Sequence, residues 1–218
     1  MSEIKPKYTK GEEIFNMSSH IVGGVVGIIA LILCVMFSAA KGDMYAIVAS
    51  AIYGAAMIIL YSVSSIYHGL SPRFKAKKIF QTIDHCSIFV LIAGTYTPVC
   101  LCALREYSPT LGWTLFSVVW GIALIGITLN AISVKKFKVF SAICYIAMGW
   151  CIVAVWRPTV QMLGQGGILL MLLGGISYTI GALFYYFFKK KRYMHSVFHL
   201  FVLLGSILQL FSVLFYVI

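Results

Sequence analysis

Apolar residues fall into seven long runs, at about 19–40, 44–68, 82–104, 111–133, 139–156, 166–188 and 195–218. Short breaks that carry charge, proline or glycine separate them. A bilayer core about 30 Å thick takes about 20 apolar residues per helix, so each run is of spanning length. The runs are too long for the strands of a membrane barrel and lack their two-residue alternation. The pattern predicts an all-α membrane protein with seven transmembrane helices. It predicts a single domain over residues 1–218, with residues 1–18 as a short cytoplasmic tail. The first run is longer than the apolar core of a signal peptide and no convincing cleavage site follows it, so it reads as a retained span.

Composition agrees with this reading. Of 218 residues, 61% are hydrophobic and 11% charged, against about 25% charged in a soluble domain. Charge also gives the runs a direction. Lys5, Lys7 and Lys10 precede the first run, and Arg73, Lys75, Lys77 and Lys78 follow the second. Lys135, Lys136 and Lys138 follow the fourth, and Lys189, Lys190, Lys191 and Arg192 follow the sixth. Only Lys41, Arg105 and Arg157 of the 17 basic residues fall on the other side. The positive-inside rule makes the richer side cytoplasmic, which puts the N-terminus inside and the C-terminus outside. The formal charge of +11 then reflects topology and anionic lipid headgroups, and no motif points to nucleic acid.

With that orientation all five histidines fall at cytoplasmic ends of the runs: His20, His68, His85, His195 and His199. Asp84 lies at the same level. Ionisable groups at membrane depth mark working sites. His195 and His199 stand at i and i+4, so both rings leave one face of a helix one turn apart. An open catalytic zinc site uses three protein ligands and a free position, and His68, at the end of the second run, is the natural third. Ser64 lies one turn before His68 on the same face, and Asp84 fits a supporting place beside the ligands. His20 and His85 read as interface or structural residues. Glu12 and Glu13 read as a solvated pair that caps the helix or pairs with nearby lysines.

The remaining features read as packing. Cys34, Cys86, Cys100, Cys102, Cys144 and Cys151 have neither zinc-finger nor disulfide spacing and read as buried thiols. Gly23 and Gly27 form a small-residue pair suited to close helix approach, as do Gly174, Gly175 and Gly181. Pro98 should kink the third helix, with Thr95 and Thr97 placed to satisfy freed carbonyls.

Several short motifs now occur in order. They are Glu12-Glu13-x-x-Asn16 with Ser19-His20, Ser64-Ser65-Ile66-Tyr67-His68-Gly69-Leu70-Ser71-Pro72, Asp84-His85, and Ala93-Gly94-Thr95-Tyr96-Thr97-Pro98. Tyr145 with Met148-Gly149-Trp150, Gly174-Gly175-x-x-Tyr178-x-x-Gly181 and His195-x-x-x-His199 complete the set. From about residue 11 to the C-terminus the chain resembles the bacterial hemolysin III family of the progestin and adipoQ receptor superfamily. Ser19 stands where that family usually has threonine. The resemblance implies a multi-pass protein of the bacterial inner membrane with zinc (Zn2+) near its cytoplasmic face. His68, His195 and His199 would be the ligands, with Asp84 and Ser64 beside the metal.

Three functions follow as expectations. The first is a zinc-dependent hydrolase of lipid amides or esters, similar to the ceramidase activity attributed to relatives, with a lipid substrate or ligand held in the helix bundle. The second is a sensor or regulator of membrane lipid homeostasis in which zinc is structural. The third is the cytolytic activity of the family name, to which the sequence lends little support because no run is strongly amphipathic.

Overall fold

The computed structural model describes residues 8–188 and 190–218, which leaves Lys5, Lys7 and Lys189 of the basic clusters outside the described residues. Among the described residues the protein is helical throughout. Five helices are long and apolar enough to cross a membrane: α1 (Lys10–Lys41), α2 (Met44–Gly69), α3 (Ala76–Tyr107), α4 (Pro109–Phe188) and α5 (Met194–Tyr216). The protein is thus a multi-pass membrane protein.

The expected seven separate transmembrane helices, and with them the assignment of a cytoplasmic N-terminus and an external C-terminus, are corrected to this set of five. The fourth, fifth and sixth apolar runs lie in the one helical stretch α4. Its breaks are local. Ser133 is extended (φ −165°, ψ 102°) and Gly164 is left-handed (φ 63°), while Cys151–Val155 forms a 3-10 turn. Ser133 Oγ accepts from Lys136 N at 3.3 Å, as an N-cap does, so Lys135, Lys136 and Lys138 lie in the first turns of a helical segment that restarts directly after Ser133. The axis does turn at Ser133. Ser141 Oγ donates to Asn130 Oδ1 at 2.7 Å, whereas eleven residues of straight helix would separate the two by about 16 Å.

Local chemistry sets the helix ends. Thr9 and Glu12 form a reciprocal capping box at the start of α1, which begins at Lys10, inside the stretch expected to be a tail. Gly42, left-handed at φ 71°, ends it, and Asp43 caps Tyr45 N at 2.9 Å to start α2. In α3, Pro98 is followed directly by a π-helical stretch, Val99–Leu104, a common accommodation of a disrupted ladder. Thr95 and Thr97 donate to the carbonyls of Leu91 and Ala93, each four residues back and at 2.8 Å. Neither serves Gly94, whose donor Pro98 removes.

Helix α1 packs on α2, α2 on α3, α3 on α4, and α5 on α1 and the last part of α4. One apolar core joins α1, α2, α3 and α5 through Ala30, Tyr53, Met57, Tyr61, Leu91 and Val202. A second, around Phe89, Tyr96, Val119 and Met148, lies between α3 and α4. The face of α1 carrying Ile21, Val25, Ile28 and Ile32 is exposed, as a lipid-facing surface should be. Cys34, Cys100 and Cys102 are buried as expected, while Cys86, Cys144 and Cys151 are half-buried; all are free thiols.

Lys77 meets Glu13 at one end of the bundle. At the other, Lys41 donates to the Ile218 carbonyl and Arg105 covers the Tyr45 ring at 3.7 Å.

Glycine decides how closely α1 meets α2. A Cβ at Gly23 would stand 2.3 Å from the Tyr61 ring, and one at Gly27 would stand 3.1 Å from Met57. Gly174 and Gly181 meet α5 in the same way at Gln209 and Phe201, whereas Gly175 has open space. Gly23→Val should therefore destabilise the protein by about 1–3 kcal/mol through overpacking, read as a lowered Tm in detergent. Gly175→Val should leave Tm within experimental scatter of the wild type.

Candidate metal centre

The last two turns of α2 carry Ser64 and His68, and the first two turns of α5 carry His195 and His199. The start of α1 lies across both. Glu12, Glu13, Asn16 and His20 share an α1 face at helical spacing, and Glu12, Asn16 and His20 are buried. Burying polar groups on an otherwise apolar helix requires partners, and α5 supplies several. Asn16 Oδ1 accepts from Ser196 Oγ at 2.6 Å, and Glu12 Oε1 accepts from the backbone N–H of Tyr193 at 2.7 Å. Tyr193 has φ 61°, a conformation uncommon for a bulky residue. It immediately precedes α5, so the bond to Glu12 helps hold the strained turn that aims His195.

His68, His195 and His199 come together, each offering a ring nitrogen, with these atoms within 4.8 Å of one another. His195 Nε2 stands 3.3 Å from His68 Nε2 and 3.1 Å from His199 Nε2. His68 and His199 are buried. His68 Nδ1 donates to Glu13 Oε2 at 2.5 Å, so its Nε2 carries the lone pair toward the other two rings. Hydrogen bonding alone serves this arrangement poorly, because one proton on His195 Nε2 would be split between two neighbours. A metal ion fits it well. Tetrahedral coordination at about 2.0–2.1 Å places ligand nitrogens about 3.3 Å apart, close to the two separations that His195 makes. The carboxylate on His68 is the usual outer partner of a metal-ligating imidazole. The three histidines could therefore hold a metal ion.

The surroundings are aromatic. Tyr8 stacks on His195 with centroids 4.9 Å apart and planes at 9°, and Tyr185 tilts against the same imidazole at 5.1 Å. Burial, with the phenols of Tyr185 and Tyr67 and the carboxylate of Glu13 nearby, holds the Tyr8 hydroxyl protonated well above the ordinary tyrosine range. His20 stacks on His199 at 3.7 Å and 19° and meets the Tyr61 ring edge-on at 5.0 Å. His20 thus packs against His199 and is not among the three converging histidines.

Of the other expected site residues, Ser64 is buried one turn from His68. Asp84 is half-buried on α3, within electrostatic reach of the Tyr67 phenol and 3.9 Å from His85; it is not among the three converging ligands. His85 donates from Nδ1 to the Gln81 carbonyl at 2.8 Å and stands apart from the triad, as a structural histidine would. The solvated reading of Glu12 and Glu13 is corrected. Glu12 does cap α1, yet it is buried against Tyr193, and Glu13 bridges His68 and Lys77. Their spacing to Asn16 and His20 was the available signal, a polar stripe on an apolar helix.

These observations define a membrane-embedded helical bundle with three histidines at one end that could hold a metal ion. A family profile described as Haemolysin-III related matches residues 8–210, and the chain belongs to that family. It is 41% identical over 206 residues to Hemolysin-3 of Bacillus cereus, covering 94% of this chain and 92% of that protein. It is also 41% identical over 209 residues to the Hemolysin-3 homolog of Bacillus subtilis, covering 96% of each. A more distant likeness, 26% over 169 residues, is to the human Monocyte to macrophage differentiation factor, covering 74% of this chain and 67% of that one. It supports membership of the wider progestin and adipoQ receptor superfamily.

Glu13→Gln keeps the size of the side chain but removes the charge that orients His68. Metal affinity should fall about 10–100-fold, as measured by competition against a chromophoric chelator. Wild-type affinity in that variant would show that the Glu13 contact is incidental.

Proposed function

We propose that the protein is an intramembrane zinc-dependent hydrolase that cleaves an amide or ester bond of a membrane lipid, in the manner of a ceramidase. The observation that carries this reading is the convergence of His68, His195 and His199 on one point, with Glu13 behind His68. An all-imidazole set suits zinc, although it also suits copper, nickel and iron. Zinc held there supplies Lewis acidity toward water and toward a carbonyl oxygen.

The chain's own residues would do the rest. Ser64, on the face of α2 that carries His68, positions the attacking water by hydrogen bonding. Asp84 takes up a proton as the carbonyl is attacked and returns it to the departing amine or alcohol. Imidazole ligands are neutral, so the site gains no excess negative charge to repel an approaching carboxylate product. The scissile group of a lipid would reach the site with its acyl chain among the helices, where the surfaces are apolar.

A second reading has its own support. The ligands come from α2 and α5, with His68 and His195 separated by 127 residues, so a single ion would clamp two distant segments. A sensor or regulator of membrane lipid state would need no more than that.

Purified protein loaded with zinc and presented with a panel of ceramides and other amide and ester lipids discriminates the two. Hydrolysis predicts zinc-dependent fatty-acid release that Asp84→Asn reduces by two or more orders of magnitude, in line with general acid–base contributions of about 10²–10⁴, while metal content is retained. No release from fully loaded protein across the panel would remove the enzymatic reading. The clamp reading predicts that His195→Ala lowers Tm and alters the membrane fluidity response, whereas Asp84→Asn leaves that response unchanged.

A further inference from the structure

Glu13 does not face His68 alone. Its second oxygen accepts from Lys77 Nζ at 2.8 Å, and the same ammonium donates to the Leu70 carbonyl, also at 2.8 Å. Lys77 further lies 5.1 Å from the centroid of the Tyr67 ring. The Lys77 and Glu13 side chains are 14% and 16% exposed, so this is a largely desolvated ion pair in which attraction is little screened. One lysine at the start of α3 thus grips the C-cap of α2, the first turn of α1 and the ring beside His68.

We propose that Lys77 is a positioning residue of the metal centre, acting on His68 through Glu13. Glu13 uses one oxygen for each partner, and its syn and anti lone pairs allow several rotations about its last bond. Lys77 selects one of them. With Oε1 anchored to the ammonium, Oε2 is directed at His68 Nδ1, which fixes the tautomer and the ring plane of that ligand. The cation also offsets the carboxylate, so the group behind His68 orients the ring without adding a net charge to the end of the bundle. The bond to Leu70 sets the ammonium itself, because Leu70 ends the helix on which His68 stands two residues earlier. Lysine is here more than one of the basic residues that mark one side of the membrane, since those would be expected in solvent among lipid headgroups and this one is turned inward.

The inference rests on metal binding by the three histidines and is independent of whether a lipid is hydrolysed. Its test uses Co2+ as a spectroscopic substitute in the full-length protein, with wild type, Lys77→Met, Lys77→Arg, Glu13→Gln and the Glu13→Gln/Lys77→Met double variant. Lys77→Met should weaken Co2+ binding by several-fold to tenfold and shift the visible d–d bands. Lys77→Arg, which keeps the charge and a donor to Glu13, should restore most of both. In the Glu13→Gln background Lys77→Met should have no further effect on affinity, because its route to His68 is already cut; that non-additivity is the signature of acting through Glu13. Lys77→Met with wild-type affinity and spectrum would overturn the proposal. So would full additivity with Glu13→Gln, which would make Lys77 a general support of the α2–α3 connection. Failure of the wild type to bind Co2+ or Zn2+ at all would overturn the metal centre itself, and the wild-type titration separates that outcome from a failure of Lys77 alone.

Discussion

Three imidazole nitrogens held within 4.8 Å of one another at the end of a membrane bundle form a set that could hold a metal ion. A buried polar atom left without a partner costs about 1–3 kcal/mol, and lone pairs turned toward each other add repulsion. One metal ion removes both penalties. That constraint explains why α1, α2 and α5 are arranged as they are at this end, while the opposite end is closed by simpler contacts of Lys41 and Arg105.

Meeting the constraint depends on packing some distance away. Gly23 and Gly27 let α1 lie directly on Tyr61 and Met57, and Tyr61 in turn donates to Ser206 Oγ of α5 at 2.7 Å. Tyr178 reaches the same oxygen from α4 at 2.8 Å. The three α1 side chains Glu12, Glu13 and Asn16 then bond to Tyr193, His68 and Ser196. His20 stacks on His199 one further turn along. Helix α1 is not among the helices that carry the three converging histidines, yet its side chains contact residues on both of the helices that do. A disturbance of α1 packing should therefore be felt at the metal centre before it is felt in the α3–α4 core.

The ligand triad was legible from sequence because it rests on local rules. The spacing of His195 and His199 sets two rings on one face, and His68 ends the second apolar run, where a third ring nitrogen is available. The outer partners were not legible, since a glutamate in the first turn of a helix looks the same whether it caps that helix or reaches α2. Only the fold decides that Glu12 meets Tyr193 and Glu13 meets His68, 55 residues further on. The helix count failed for a different reason. In the sequence, charged and proline-containing breaks look like loops between separate helices. Instead, helix restarts directly after the single residue Ser133, which caps Lys136 N, and Pro158 sits in the first turn of a helical segment where its missing N–H does no harm. The structure confines the departures from helical geometry to Ser133, the 3-10 turn after Trp150, and Gly164. Membership of the haemolysin III family rested on several short motifs in order along the chain, and the match over residues 8–210 upholds it.

The central claim is that His68, His195 and His199 jointly hold one metal ion. It is tested most directly by the metal content of purified protein, measured by mass spectrometry on wild type beside the single alanine variants of these three residues and of His85. The account predicts one metal ion per wild-type chain, near-complete loss in each triad variant, and full retention in His85→Ala. Full occupancy in any one of the triad variants, or a metal-free wild type prepared with zinc present, would contradict it.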